Sequence, residues 1–178
     1  QESFVCKSDG LLYGWGNNTS YKIKYNSSVP SFYTSAESIR KFDTPIKCIS
    51  DDNRMVIATT ETGTIYTWGS NRGYIMGTDS VPYALPKAIF SGATEGLNSQ
   101  GFAGYALKND GTVWNWGTNN QRTSGHGSLV GYLEPTQMEG LSNIVQLCVN
   151  SDTKLALRSD GTVFGWQDNL YGTIEIGR

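Results

Sequence analysis

Histidine occurs once in the 178 residues, as His126, and cysteine three times, as Cys6, Cys48 and Cys148. A hydrolytic triad needs a base held in place by a third group. His126, in Ser124-Gly125-His126-Gly127-Ser128, has no such partner in the sequence, and no Gly-x-Ser-x-Gly elbow is present. One histidine and dispersed cysteines make no transition-metal ligand set, and an odd cysteine count at wide spacing is no disulfide framework. Charge is also scarce: 17% of residues carry it, with a net value of -2. That excludes the basic footprint of a nucleic-acid binder. No run approaches the roughly 20 apolar residues of a membrane span, and the N-terminus lacks a basic-then-apolar signal pattern. The chain is therefore expected to use no cofactor or metal, to bind no nucleic acid and to insert into no membrane.

Glycine, at 21 residues, and aromatics, at 12%, are plentiful, and Asn, Ser and Thr recur throughout. This mixture suits short strands joined by tight turns. Four segments align without gaps: KSDGLLYGWGNN at 7–18, TETGTIYTWGSN at 60–71, KNDGTVWNWGTN at 108–119 and RSDGTVFGWQDN at 158–169. Their turn glycines, Gly10, Gly63, Gly111 and Gly161, lie 53, 48 and 50 residues apart. Regular self-similarity of this period marks a repeat architecture.

Each column has a physical reading. Asp-Gly or Thr-Gly marks a two-residue hairpin turn, where glycine supplies a positive φ. Two residues on stands an aliphatic side chain: Leu12, Ile65, Val113 or Val163. An aromatic follows (Tyr13, Tyr66, Trp114, Phe164), and two residues later a tryptophan (Trp15, Trp68, Trp116, Trp166). Alternate strand residues share a face, so the aromatic and its tryptophan point one way and the aliphatic residue the other. A sheet apolar on both faces belongs between two neighbouring sheets. A second strand precedes each turn, and a third lies upstream at Ile46–Ile49 and Ile144–Val149; the matching stretch around Ala88-Ile89-Phe90 is less regular. After each tryptophan an asparagine ends the strand: Asn18, Asn71, Asn119 or Asn169. The stretches 19–44, 72–87 and 120–143 read as connectors, with one or two helical turns possible over Ser35–Phe42.

The segments LKNDGTVWNWGTN and LRSDGTVFGW resemble the regulator of chromosome condensation repeat family. That resemblance implies a β-propeller of four-stranded blades, and four units are fewer than the family's usual closed ring needs. The fold class expected is all-β: a propeller-like array of about four blades, partial or atypically closed. It forms a single repeat domain over 1–178, with units near 1–44, 45–87, 88–140 and 141–178. The tail Thr173–Ile176 either completes a sheet beside the N-terminal hairpin or ends an open array. Uncovered sheet edges leave oligomerisation through edge strands open.

Asp9, Asp110 and Asp160 occupy one turn column and read as turn formers rather than a catalytic carboxylate cluster. The tryptophan column reads as core between blades, and Cys6 as a small core residue. A glycosidase would need two carboxylates about 5–9 Å apart, and the sequence cannot pair Glu37, Glu95, Glu134, Glu139 or Glu175. Ligand groups are expected instead where the units differ, because rigid scaffolds carry function on variable loops. Those connectors offer Tyr21, Tyr25, Tyr33 and Tyr83, and above all Arg72, Tyr74, Asn120, Arg122, His126 and Tyr132. Tyr and Arg make efficient interface anchors, and aromatic faces with amides also match sugars.

The function expected on these grounds is a non-catalytic binding or adhesion module. It would recognise a glycan or a cell-surface protein from a cell-surface, pilus or fibre setting outside the cell. The alternative is a protein-interaction platform, a GTPase regulator or an enzyme inhibitor, with a cytoplasmic location.

Overall fold

The four glycine turns set the frame. In the first, Gly10 N–H donates to Lys7 C=O at 2.9 Å and Lys7 N–H to Leu11 C=O at 3.0 Å, with Gly10 at φ 84°. The same pair of bonds recurs around Gly63, Gly111 and Gly161. This is a three-residue hairpin loop, a turn followed by a left-handed glycine bulge, rather than the two-residue turn expected from Asp-Gly alone. The preceding aspartate fixes it: Asp9, Asp110 and Asp160 each accept the amide two residues on, at 3.1, 3.0 and 2.9 Å. Their conserved place in the repeat is thus turn chemistry.

The computed structural model describes residues 2–25, 28–52, 54–71, 83–99, 103–118, 132–150 and 153–166. Among them are fourteen strands and no helix, in four antiparallel sheets. The first sheet holds β1 (Glu2–Cys6), β2 (Leu11–Asn17) and β3 (Phe32–Lys41). The second holds β4 (Ile46–Asp51), β5 (Met55–Thr60), β6 (Ile65–Ser70) and β7 (Tyr83–Phe90). The third holds β8 (Ala93–Ser99), β9 (Ala103–Lys108), β10 (Val113–Gly117) and β11 (Tyr132–Gln137), and the fourth β12 (Ile144–Val149), β13 (Lys154–Arg158) and β14 (Val163–Trp166). Strands neighbour one another in chain order within every sheet. The all-β, propeller-like array is as expected, and its described sheets do not close into a ring.

Two details differ from expectation. The connectors carry strands β3, β7 and β11, so Ser35–Lys41 is extended rather than helical, and Phe42 bonds back to Gly10 C=O. Mixed polar and apolar residues along the exposed β3 hide its period from the sequence. Ala88–Phe90 belongs to β7, and the inner strand of the third sheet is β8. The tail Thr173–Ile176 lies outside the described residues.

The core sits between sheets and has one recurring form. The aromatic face of each sheet packs on the aliphatic face of the sheet before it. Trp68 and Tyr66 of the second sheet meet Leu12 and Phe42 of the first. Trp116 and Trp114 of the third meet Ile57 and Ile65 of the second. Phe164 and Trp166 of the fourth meet Leu107 and Val113 of the third. Close backbone approach makes room for the rings: a Cβ on Gly104 would stand 2.4 Å from the Trp116 ring.

Cations cap the aromatic column. Lys108 Nζ stands 5.0 Å from the Phe90 and Trp114 ring centres, and the Arg158 guanidinium 5.1 Å from that of Phe164. In the second unit this column holds Thr60, and Arg40 reaches from β3 to cover Tyr66 at 5.2 Å instead. Arg40 also donates to Pro86 C=O at 2.6 Å, tying the first sheet to the second. Such contacts contribute about 0.5–2 kcal/mol each.

The inner strands share one irregularity. Two residues of the inner strand span one step of its partner at Ile46/Cys48, Ala93/Glu95 and Ile144/Gln146. Lys47, Thr94 and Val145 are the extra residues, at one repeat position in three consecutive sheets.

Candidate protein-interaction surface

The connector between β2 and β3 leaves the array with a geometry set by one asparagine. Asn18, the strand-exit residue of its column, is 1% exposed. Its side-chain oxygen accepts the amides of Ile23 and Lys24 at 2.9 and 3.2 Å. Its side-chain nitrogen donates to Lys24 C=O and Pro30 C=O at 3.0 and 3.3 Å. Asn18 N–H meets Ser31 C=O at 2.7 Å. One side chain thus holds both arms of the loop, which a hydroxyl or an aliphatic residue could not do.

A second anchor is ionic. Lys22 is buried, with Nζ paired to Glu2 and to Asp51 at 2.9 Å and donating to Asp52 C=O. Burial lowers the Lys22 ammonium from its ordinary value, opposed by the Asp51 hydrogen bond and charge. Burial likewise raises the Asp51 carboxyl, opposed by Lys22. The third anchor is Trp68, whose indole N–H donates to Lys22 C=O at 2.7 Å. The core tryptophan of the second sheet therefore also fixes a loop of the first. Ile23 closes the seat as a buried apolar side chain.

Held from below, the loop turns Tyr25 outward and keeps Tyr21 half-buried beside it. Tyr21 has φ 56°, a left-handed conformation uncommon for a bulky residue and maintained by the anchors on either side. Tyr21 packs edge-on against Tyr25 with ring centres 5.3 Å apart. Tyr25 is 43% exposed, and Phe32, beyond the other arm, 57% exposed. Lys24 of the loop and Glu37 of β3 form a 2.6 Å ion pair. Glu37 is thereby committed to Lys24, and Glu95 accepts Leu147 N–H at 3.3 Å.

The site residues expected first fall elsewhere. Arg72, Tyr74, Asn120, Arg122 and His126 lie outside the described residues. Tyr132 opens β11 and pairs with Gly117, and its side chain is likewise not described. Tyr33 lies half-buried on β3. The anchoring set Asn18, Lys22 and Trp68 escaped sequence reasoning as a set. Asn18 stood out only as a strand-exit residue and Trp68 only as core; the signal for Lys22 was a lysine four residues past the exit, close to Lys24.

Repeated antiparallel sheets packed face to face make this chain a repeat protein of the β-propeller class. Its fold is similar to that of yeast RCC1 (Prp20), solved bound to Kap60, with a TM-score of 0.73 at 17% identity over 92% of this chain. It is similar also to human WBSCR16, with a TM-score of 0.79 at 16% identity over 99% of this chain. The regulator of chromosome condensation (RCC1) repeat profile matches residues 110–157, and the four units resemble that repeat.

Relatives include the ultraviolet-B receptor UVR8 of Arabidopsis thaliana, 28% identical over 95% of this chain. Another is the human E3 ubiquitin-protein ligase HERC2, 29% identical over 96%. The chain spans 40% of the length of the first and 4% of the second, and 39% and 49% of the two solved chains. These likenesses favour the protein-interaction alternative. The adhesion and glycan-binding expectation, and with it the extracellular setting, gains no support from them.

Proposed function

We propose that this chain is a non-catalytic protein-interaction platform that works inside the cell. The observation that carries this reading is the connector of the first sheet: Tyr21 and Tyr25 stand on a loop pinned by Asn18, Lys22 and Trp68. A rigid loop presenting tyrosines offers contact area at small conformational cost, which is what a protein hot spot needs. Support for the kind of partner comes from the neighbours. Yeast RCC1 was solved bound to Kap60, and Prp20p was described with its binding to Gsp1p and histones. A small GTPase is one partner class consistent with those names. The free thiols of Cys6, Cys48 and Cys148 suit a reducing compartment.

The test is affinity capture from cells that express the protein, followed by calorimetric titration of each captured protein, purified, against the chain and its Tyr25→Ala variant. The reading expects saturable binding that weakens about tenfold or more on that substitution. A purified partner indifferent to Tyr25, or a chain that binds arrayed glycans and no protein, overturns it.

A further inference from the structure

Three inner strands, β4, β8 and β12, run side by side across consecutive sheets, and each carries its bulge at the same repeat position. A bulge leaves its extra residue out of the ladder and re-aims its side chain, and bulges gather at functional rims. The extra residues Lys47, Thr94 and Val145 all line one groove of about 480 Å³. Lys47 and Val145 are exposed, Val145 by 56%. The groove therefore offers a row of one cation, one small polar side chain and one apolar side chain. They sit on successive inner strands, one to each sheet.

Two lysines give the groove its charge. Lys47 Nζ donates to Thr94 C=O at 3.2 Å, which holds the ammonium over the bulge of the neighbouring sheet. Lys108, also in the lining, is steadied by the Phe90 and Trp114 rings. The carboxylate in the lining, Glu95, is engaged by Leu147 N–H at 3.3 Å across the sheet boundary. Two positioned cations against one committed carboxylate leave the groove complementary to negative charge. The exposed Val145 at the far end asks for an apolar contact, and an extended strand is the form whose side chains can reach along such a row.

We infer that this axial groove binds an extended acidic segment of a partner protein, with a carboxylate between Lys47 and Lys108 and an apolar side chain on Val145. The inference rests on the reading of the chain as a protein-binding module, and it uses a surface separate from Tyr25.

The test is an amide NMR titration of the chain with a synthetic octapeptide of alternating Asp and Leu, beside one of alternating Lys and Leu. The acidic peptide is expected to shift the amides of Lys47, Thr94 and Val145 saturably and the basic one to leave them in place. Lys47→Glu, at an exposed position that keeps the fold, is expected to weaken the acidic peptide about tenfold or more. Val145→Asp is the second variant and is expected to do the same, while Tyr25→Ala leaves this binding unchanged. Equal response to both peptides, shifts spread over other surfaces, or full binding by Lys47→Glu would overturn the inference. Loss of binding in Tyr25→Ala would show instead that the two surfaces are one. Because peptide and groove are tested without the cellular partner, failure here leaves the Tyr25 reading standing, and the reverse also holds.

Discussion

The two inner sheets and the two end sheets are built from the same columns of residues but bury them differently. Trp68 and Trp116, in the second and third sheets, are each 1% exposed, whereas Trp15 and Trp166, in the first and fourth, are half-buried. Val113 is fully buried and its counterpart Val163 is 61% exposed. Each interface joins an aromatic face to the aliphatic face of the preceding sheet. In the described structure the first sheet therefore has no sheet against its aromatic face, and the fourth none against its aliphatic face. A repeat unit does not own its core: it owns half of two. In such an array stability is a sum of unit and interface contributions rather than one global quantity.

That contrast gives a graded set of substitutions. The largest difference is expected between Trp116→Ala and Trp166→Ala. The first empties a sealed interface and should cost about 3–5 kcal/mol, the second clearly less, as read from denaturation midpoints of the two variants. Lys22→Met tests the seam between the first and second sheets. It keeps the side-chain volume but leaves Asp51 and Glu2 without their cation, so a loss of about 3–5 kcal/mol is expected. Hydrogen exchange should show that loss concentrated in β1, β2 and β6 rather than in β12–β14. A loss spread evenly over all sheets would mean that the array unfolds as one body.

Gly104→Ala places a methyl against the Trp116 ring and should cost about 1–3 kcal/mol by overpacking. Gly14 of the first sheet is the milder comparison, because its nearest atom is the movable Cδ1 of Ile39 at 2.9 Å. The smallest effect belongs to Val163→Thr, expected within about 0.5 kcal/mol of the parent. Val113→Thr buries a hydroxyl and should cost about 1–3 kcal/mol. Equal costs at 113 and 163 would show that the fourth sheet is covered in solution.

The parts legible in the sequence are those where one residue type has one reason to be there. The turn glycines need positive φ, the aspartates close the turns, and the tryptophans and aliphatic residues fill opposite faces; together these give the sheets and their order. Strands β3, β7 and β11 were not legible, because an outer strand buries little and its polar positions carry no period. The third residue of the hairpin loop was hidden because Asp-Gly serves both turn forms. The loop anchors were hidden for another reason: the Asn18, Lys22 and Trp68 contacts join residues 5, 29 and 46 positions apart, and no local pattern encodes such meetings. Arg40 shows the same limit, since it replaces a cation that Thr60 lacks within its own unit.

The Tyr21–Tyr25 loop is the surface proposed to meet another protein. The most direct measurement places a photo-activated cross-linking residue at position 25 in the protein expressed in cells, with position 85 on the outer strand β7, which is more exposed than Tyr25, as the control. A defined protein adduct is expected from position 25, absent from position 85 and undiminished by added sugars. Adducts of equal pattern from both positions, or none from position 25, would contradict it.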